Sequence, residues 1–127
     1  MSAVSTMSTP AAVERTLDFE PHPADAGARL VLQPRRDLLN HQGNCHGAAV
    51  MALLEAAMQR AASTRGASWH DALTVDLHVS FLRPGQGLLS AEAQVTGGGK
   101  RLCFCEARVR DADGALVAQA LATLRAP

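Results

Sequence analysis

Glu55 is the one acid in an otherwise apolar run, Gly47-Ala48-Ala49-Val50-Met51-Ala52-Leu53-Leu54-Glu55-Ala56-Ala57-Met58, which is entered through Asn44-Cys45-His46. An ionised carboxylate is almost never buried without a partner, so an acid in such a run is a candidate general base or nucleophile. The competing reading is a narrow polar stripe, with Gln59 at i+4 and Glu55 simply solvated at its rim. Gly47 is the second candidate. A helix N-terminus presents unpaired backbone N–H groups and a partial positive charge, and glycine there lets a substrate approach the backbone closely. An N–H aimed at a carbonyl oxygen polarises it and stabilises the oxyanion formed when water or a carboxylate attacks. The competing reading of Gly47 is steric, a helix start packed tightly against a strand.

Spacing then constrains the chemistry. Gly47 and Glu55 lie about 12 Å apart along one helix, so they cannot both touch one carbonyl. If they act in one reaction, Glu55 must meet Gly47 of a second copy, with two such helices side by side and antiparallel in an isologous dimer. The spacing predicts a shared active site.

The elements that must position these residues follow from the hydrophobic periods. Ala28 to Gln33 carries Leu30 and Leu32 on one side and ends at Pro34, which suits a short strand. A polar loop, Arg35 to Cys45, leads to Asn44 as the expected N-cap, and the helix runs to about Ser63 or Thr64 before Arg65-Gly66 closes it. After it the period changes to two. In Leu73-Thr74-Val75-Asp76-Leu77-His78-Val79-Ser80-Phe81 every odd position is apolar, the pattern of a strand with one buried face. Pro84 to Gly87 turns the chain. Alternating runs follow from Leu89 to Thr96, from Cys103 to Arg110 and from Leu116 to Leu124, separated by Gly97-Gly98-Gly99 and Asp113-Gly114. Short turns imply an antiparallel meander of four strands. The simplest way to bury the long apolar helix is to wrap the sheet around it, giving an α+β two-layer fold.

Composition removes several function classes. The chain has 127 residues, is 47% apolar and carries zero formal charge, which suits one domain and offers nothing to attract nucleic acid. Residues 1–15 lack a basic-led apolar segment and are expected as a poorly ordered leader before a single domain at 16–127; no stretch approaches the length of a membrane span. A cytoplasmic protein is expected. Three cysteines without C-x-x-C argue against a disulfide framework, and Cys103 and Cys105 read as small core residues.

The stretch Asn40-His41-Gln42-Gly43-Asn44-Cys45-His46-Gly47, followed eight residues later by Glu55, resembles the hotdog-fold acyl-CoA thioesterases, in particular the PaaI-like (phenylacetate pathway) branch. Thr74-Val75-Asp76-Leu77-His78-Val79-Ser80-Phe81-Leu82-Arg83-Pro84 is similar to that branch's second strand, and Asp111 to Ala118 to its last hairpin; the likeness covers about residues 28–125. The resemblance implies an antiparallel sheet wrapped around one long central helix, and thioester hydrolysis in a homodimer or a dimer-of-dimers tetramer. It implies Glu55 as general base or nucleophile and Gly47 as the amide that polarises the thioester carbonyl from the other subunit. Asn40 is implied as an amide that places substrate and water, His46 as a group holding the loop and reaching toward the thioester, and Thr74 as a hydroxyl positioning the attacking water. Many PaaI-like members carry Asp and Gly where this chain has Glu55 and Ala48; Glu is familiar from 4-hydroxybenzoyl-CoA thioesterases.

This chemistry needs no cofactor and no metal, with coenzyme A entering as part of the substrate. Arg83, Lys100, Arg101 and Arg65 are candidates to meet its phosphates. Leu54, Met58, Leu73 and Phe81 are candidate liners of the acyl pocket. The competing readings are a Cys45 hydrolase with His41 or His46, a metal site on those histidines, a hotdog dehydratase or hydratase, and a non-catalytic acyl-CoA-binding sensor or carrier.

Overall fold

The computed structural model describes residues 12–127. A short helix, α1 (Ala12–Thr16), precedes strands β1 (Glu20–His22) and β2 (Ala28–Leu32); the long helix α2 (Gly47–Ser63) follows, and then strands β3 (Leu73–Phe81), β4 (Leu89–Gly98), β5 (Leu102–Arg110) and β6 (Leu116–Arg125). All six strands form one antiparallel sheet in the order β1-β2-β4-β5-β6-β3. The described residues thus form the α+β hotdog arrangement, one sheet curved around α2. No helix among them is long and apolar enough to cross a membrane.

The register explains the close seating of α2. Ala91, Ala93, Ala107, Ala118, Ala120 and Ala122 face inward from the strands, and Ala49, Ala56, Ala57, Ala61 and Ala62 face them from the helix. Small side chains on both surfaces let helix and sheet approach closely, and Leu30, Leu32, Leu53, Leu54, Met58 and Leu124 fill the remaining space at full burial. The sheet does not enclose the helix completely. Ala48, Met51, Ala52, Glu55 and Gln59, at helical spacing, stay partly or fully open. One stripe of an apolar helix is therefore left uncovered.

Three expectations need correction. The four C-terminal strands are not a simple meander: β4, β5 and β6 are, but β3 pairs with β6 at the sheet edge and not with β4. The connection Leu82 to Leu88 is too long for a tight hairpin and crosses the sheet end, where Leu82 and Arg83 both donate their N–H groups to the Val117 carbonyl. The clean alternation of β3 also breaks. A bulge between Thr74 and Asp76 inverts the facing of its first residues, so Leu73 and Val75 are 48% and 57% exposed. The expected leader lies largely outside the described residues, but Ala12 to Arg15 belong to α1, and Glu14 is 3% exposed in a bidentate ion pair with Arg60 at 2.7 and 2.8 Å. Strand β1 has no signal in the sequence. It is set by Gly27, at φ +73°, where a Cβ would overlap the Ala93 carbonyl oxygen.

Candidate active site

The start of α2 is built by a small loop that satisfies itself. Asn40 donates its N–H to the Asn44 carbonyl, and its side-chain oxygen accepts from the N–H groups of Gln42 and Asn44 at 2.9 and 3.1 Å. His46 N–H donates to the Leu38 carbonyl and Cys45 N–H to the Gly85 carbonyl, both at 2.8 Å, which ties the loop to the β3–β4 connection. Asn44 is not the N-cap. Its side-chain oxygen accepts from Gln86, and His46 occupies the cap position with no side-chain hydrogen bond.

This leaves the helix end open. The first α2 amides with backbone acceptors are those of Ala49 and Val50, both on the His46 carbonyl. The N–H groups of Gly47 and Ala48 have no protein partner among the described residues, and both residues are exposed. Two free donors at a positive helix end can receive a carbonyl oxygen. The steric reading of Gly47 fails: a Cβ there would meet only the Phe81 ring, at 3.5 Å, an ordinary contact.

Farther along, Glu55 is half-buried on the open stripe and makes no hydrogen bond or ion pair among the described residues. Gln59, one turn on, does not pair with it; its amide nitrogen donates to the Thr74 hydroxyl at 3.4 Å. The β3 bulge is what turns Thr74 toward the helix, so an apparent flaw in the strand pattern brings a hydroxyl within one helical turn of the acid. Gln59 thus joins the candidate site, where the sequence marked it only as the i+4 companion of Glu55 on a polar stripe.

The candidates fall into separate groups in one chain. Asn40, His46 and Gly47 stand together at the helix N-terminus, with Phe81 and the nearby Arg83. Glu55, Gln59 and Thr74 form a second group about 12 Å along the axis. Lys100 and Arg101 are exposed on the β4–β5 turn, beside Leu102, which lies across β6 from Leu73 and so marks the opposite end of β3 from Arg83. Arg65 is engaged elsewhere, donating to the Gly99 and Leu102 carbonyls and stacking over Trp69 at 4.4 Å. Leu54 and Met58 are fully buried against the sheet and line no open pocket in the single chain, while Phe81 is 51% exposed.

The cysteine reading loses its basis. Cys45 is buried, and burial pushes its thiol up from the ordinary value, the opposite of an activated nucleophile. Cys103 and Cys105 are buried free thiols with sulfurs 3.8 Å apart. No three His, Cys, Asp or Glu side chains converge among the described residues.

One antiparallel sheet curved around one long helix is the hotdog architecture. The thioesterase superfamily (4HBT) model matches residues 42–118, more than half of the chain, and the protein belongs to that superfamily of thioester hydrolases. Among solved structures, a thioesterase-superfamily protein is 30% identical, with a TM-score of 0.83 over 92% of this chain and 90% of that one. A phenylacetic acid degradation-related protein from Ralstonia eutropha JMP134 is 28% identical, with a TM-score of 0.85 over 96% and 97% of the two chains. The E. coli PaaI protein from the phenylacetic acid degradation operon shares the fold, at 24% identity and a TM-score of 0.86 over 98% and 90%. No curated protein matches the sequence.

Proposed function

We propose that the protein hydrolyses an acyl-CoA, aryl or medium-chain, to the free acid and coenzyme A in the cytoplasm. The working unit is a homodimer or a dimer of dimers, with each site shared between two subunits. The observation that carries this reading is Glu55, a half-buried carboxylate on the open stripe of α2 without a partner among the described residues. Structural acids at such positions are paired, as Glu14 is with Arg60.

In this reading the thioester oxygen sits on the N–H of the partner's Gly47, where the donor is free and the glycine leaves room for the acyl group. Glu55 removes a proton from water as that water attacks the thioester carbon. The oxyanion collapses, the C–S bond breaks, and the departing thiolate takes the proton back from Glu55. Attack by Glu55 itself, through an anhydride that water then opens, uses the same placement. Thr74, held by Gln59, orients the water. The side-chain oxygen of Asn40 is spent on its own loop, so only its NH2 group is free to meet substrate. The polar rim of His46 lies beside it. Arg83 and the Lys100-Arg101 pair, at opposite ends of β3, cannot grip one phosphate group within a chain; an antiparallel dimer returns the partner's Arg83 to the Lys100-Arg101 end.

A panel of acyl-CoA thioesters, assayed by thiol release with purified protein and with Glu55→Gln, tests the proposal. The expected result is turnover of at least one aryl or medium-chain thioester that Glu55→Gln abolishes. Binding of acyl-CoA without turnover by either protein would support the sensor or carrier reading instead.

A further inference from the structure

The two halves of a thioester substrate must leave Glu55 in opposite directions along the open stripe of α2, and polar groups continue on one side only. Gln59, about 6 Å farther along the helix axis, is half-buried. Its amide nitrogen reaches Thr74, while its carbonyl oxygen accepts no hydrogen bond among the described residues. A half-buried acceptor calls for a donor. On the other side of Glu55 lie Ala52, Met51 and Ala48, which offer no polar side chain. In an acyl-CoA the first donor beyond the sulfur is the cysteamine N–H, roughly 5 Å from the thioester carbon by standard bond lengths. That is close to one helical turn.

Beyond Thr74 the surface becomes cationic. In the register of the sheet Arg125 stands between Leu73 of β3 and Leu102 of β5, and these leucines are 48% and 43% exposed. Arg101, Leu102, Arg125, Ala126 and Pro127 line an open cleft of about 710 Å³, drawn together by the Ala126 N–H, which donates to the Arg101 carbonyl at 3.0 Å. Lys100 is the next residue along. The side chains of Lys100, Arg101 and Arg125 are exposed and make no ion pair or hydrogen bond among the described residues. Arg60, Arg35 and Arg29, by contrast, are engaged, on Glu14, on Asp18 with Asp37, and on Ser90. Free cations gathered at one place in a chain of zero net charge favour an anionic ligand.

The span between acid and cleft matches one such ligand. From Glu55 past Gln59, Thr74 and Leu73 to Arg125 is on the order of 15 Å, a helical turn followed by one step along β3 and one across to β6. The pantetheine arm of coenzyme A, from sulfur to diphosphate, is about as long as four residues of extended backbone, or roughly 14 Å. Resting on the reading of Glu55 given above, we infer that Arg125 and Arg101 bind the nucleotide phosphates of coenzyme A and that Gln59 and Leu73 carry its pantetheine arm toward them, so that the acyl group lies on the other side of Glu55, along Ala52, Met51 and Ala48. Gln59 accepts the cysteamine N–H, Leu73 and Leu102 give the dimethyl carbons of the arm an apolar shelf, and the two guanidinium groups meet the phosphates as forked donors. Leu73 then serves the thiol half of the substrate and not the acyl half.

Titration of the purified protein with coenzyme A and with pantetheine, followed by amide chemical shifts, tests the assignment without requiring turnover. Coenzyme A should shift the Gln59 side-chain amide and the backbone amides of Arg101 and Arg125, whereas pantetheine should shift Gln59 and leave the two arginines in place. Arg125→Ala should weaken coenzyme A by about 10-fold or more and pantetheine not at all. Gln59→Leu should weaken both ligands by a like factor, about 3–10-fold. Arg125 has no side-chain partner to lose, so far-ultraviolet dichroism of its variant should match wild type. Absence of coenzyme A binding by wild type, unchanged affinity in Arg125→Ala, equal losses of both ligands in that variant, or coenzyme A shifts centred on Ala48 to Ala52 would each overturn the assignment. The two readings fail separately: inert Glu55→Gln with unchanged coenzyme A affinity in Arg125→Ala discards the phosphate subsite alone, and fully active Glu55→Gln with the Arg125→Ala loss discards the catalytic role alone.

Discussion

At its C-terminal end α2 is held by side chains from several directions, whereas at its N-terminal end no side chain caps it at all. Arg60 forks onto the buried Glu14 of α1, the Ser63 and Thr64 hydroxyls donate to the carbonyls of Arg60 and Ala61, and Arg65 reaches the β4–β5 turn and the Trp69 ring. Among the described residues, the N-terminal half has two exposed amides without acceptors and an acid without a partner. The exposed amides at one end are left to water, and the side-chain contacts at the other fix the helix. The lesson is positional: a helix fixed at its far end can leave its N-terminal end open.

The comparison breaks most sharply at Glu55. Glu55→Gln should lower turnover on the order of 100-fold or more, the weight of a positioned general base, with the urea midpoint unchanged or raised, since no partner is lost. A drop in stability parallel to activity would make Glu55 a structural residue. Glu14→Ala should do the reverse. It leaves the mostly buried Arg60 uncompensated and should cost about 3 kcal/mol in urea unfolding, with turnover of the folded fraction intact. If unfolding is unaffected, the anchor is not what holds the far end.

A subtler change sharpens the contrast at the open end. Gly47→Ala adds a methyl where only the Phe81 ring lies in contact range, so the thermal midpoint should hold or rise, with a gain of up to about 1 kcal/mol. Turnover should nonetheless fall about 10-fold, because the methyl narrows the approach to the free N–H. Full activity in this variant would remove Gly47 from the site. The smallest expected effect concerns the thiols. Burial and the adjacent Cys103 push Cys105 up to about 12, and burial also raises Cys45, so iodoacetamide at pH 8 should label neither until the protein unfolds. Because the folded state holds these protons more tightly, the thiols' contribution to stability is complete below the ordinary value of 9.0 and declines as pH rises from there toward about 12. Rapid labelling of native protein would contradict the burial.

Much of this was legible along the chain. The long helix, the alternation of β4 to β6, the Asp113-Gly114 hairpin and the isolated acid are local signals, each carried by a period or a turn residue, and each stands where the sequence puts it. The pairing partner of β3, the short strand β1 and the ion pair of Glu14 with Arg60 were not legible, because they depend on residues far apart in sequence meeting in space. The β3 bulge is the instructive case. Leu73 and Val75 read as buried on alternation alone, yet pairing with β6 inverts the strand there and turns Thr74 to the helix instead.

By itself the sequence determined the class of fold, the helix that carries the acid and the spacing that keeps Glu55 from Gly47 within one chain, since all three follow from helical rise and hydrophobic period. Only the tertiary structure decided that β3 lies at a free edge, that Gln59 holds Thr74 and that the amides of Gly47 and Ala48 stay open. Those outcomes are set by which surfaces the packed core leaves uncovered, and no local pattern encodes them.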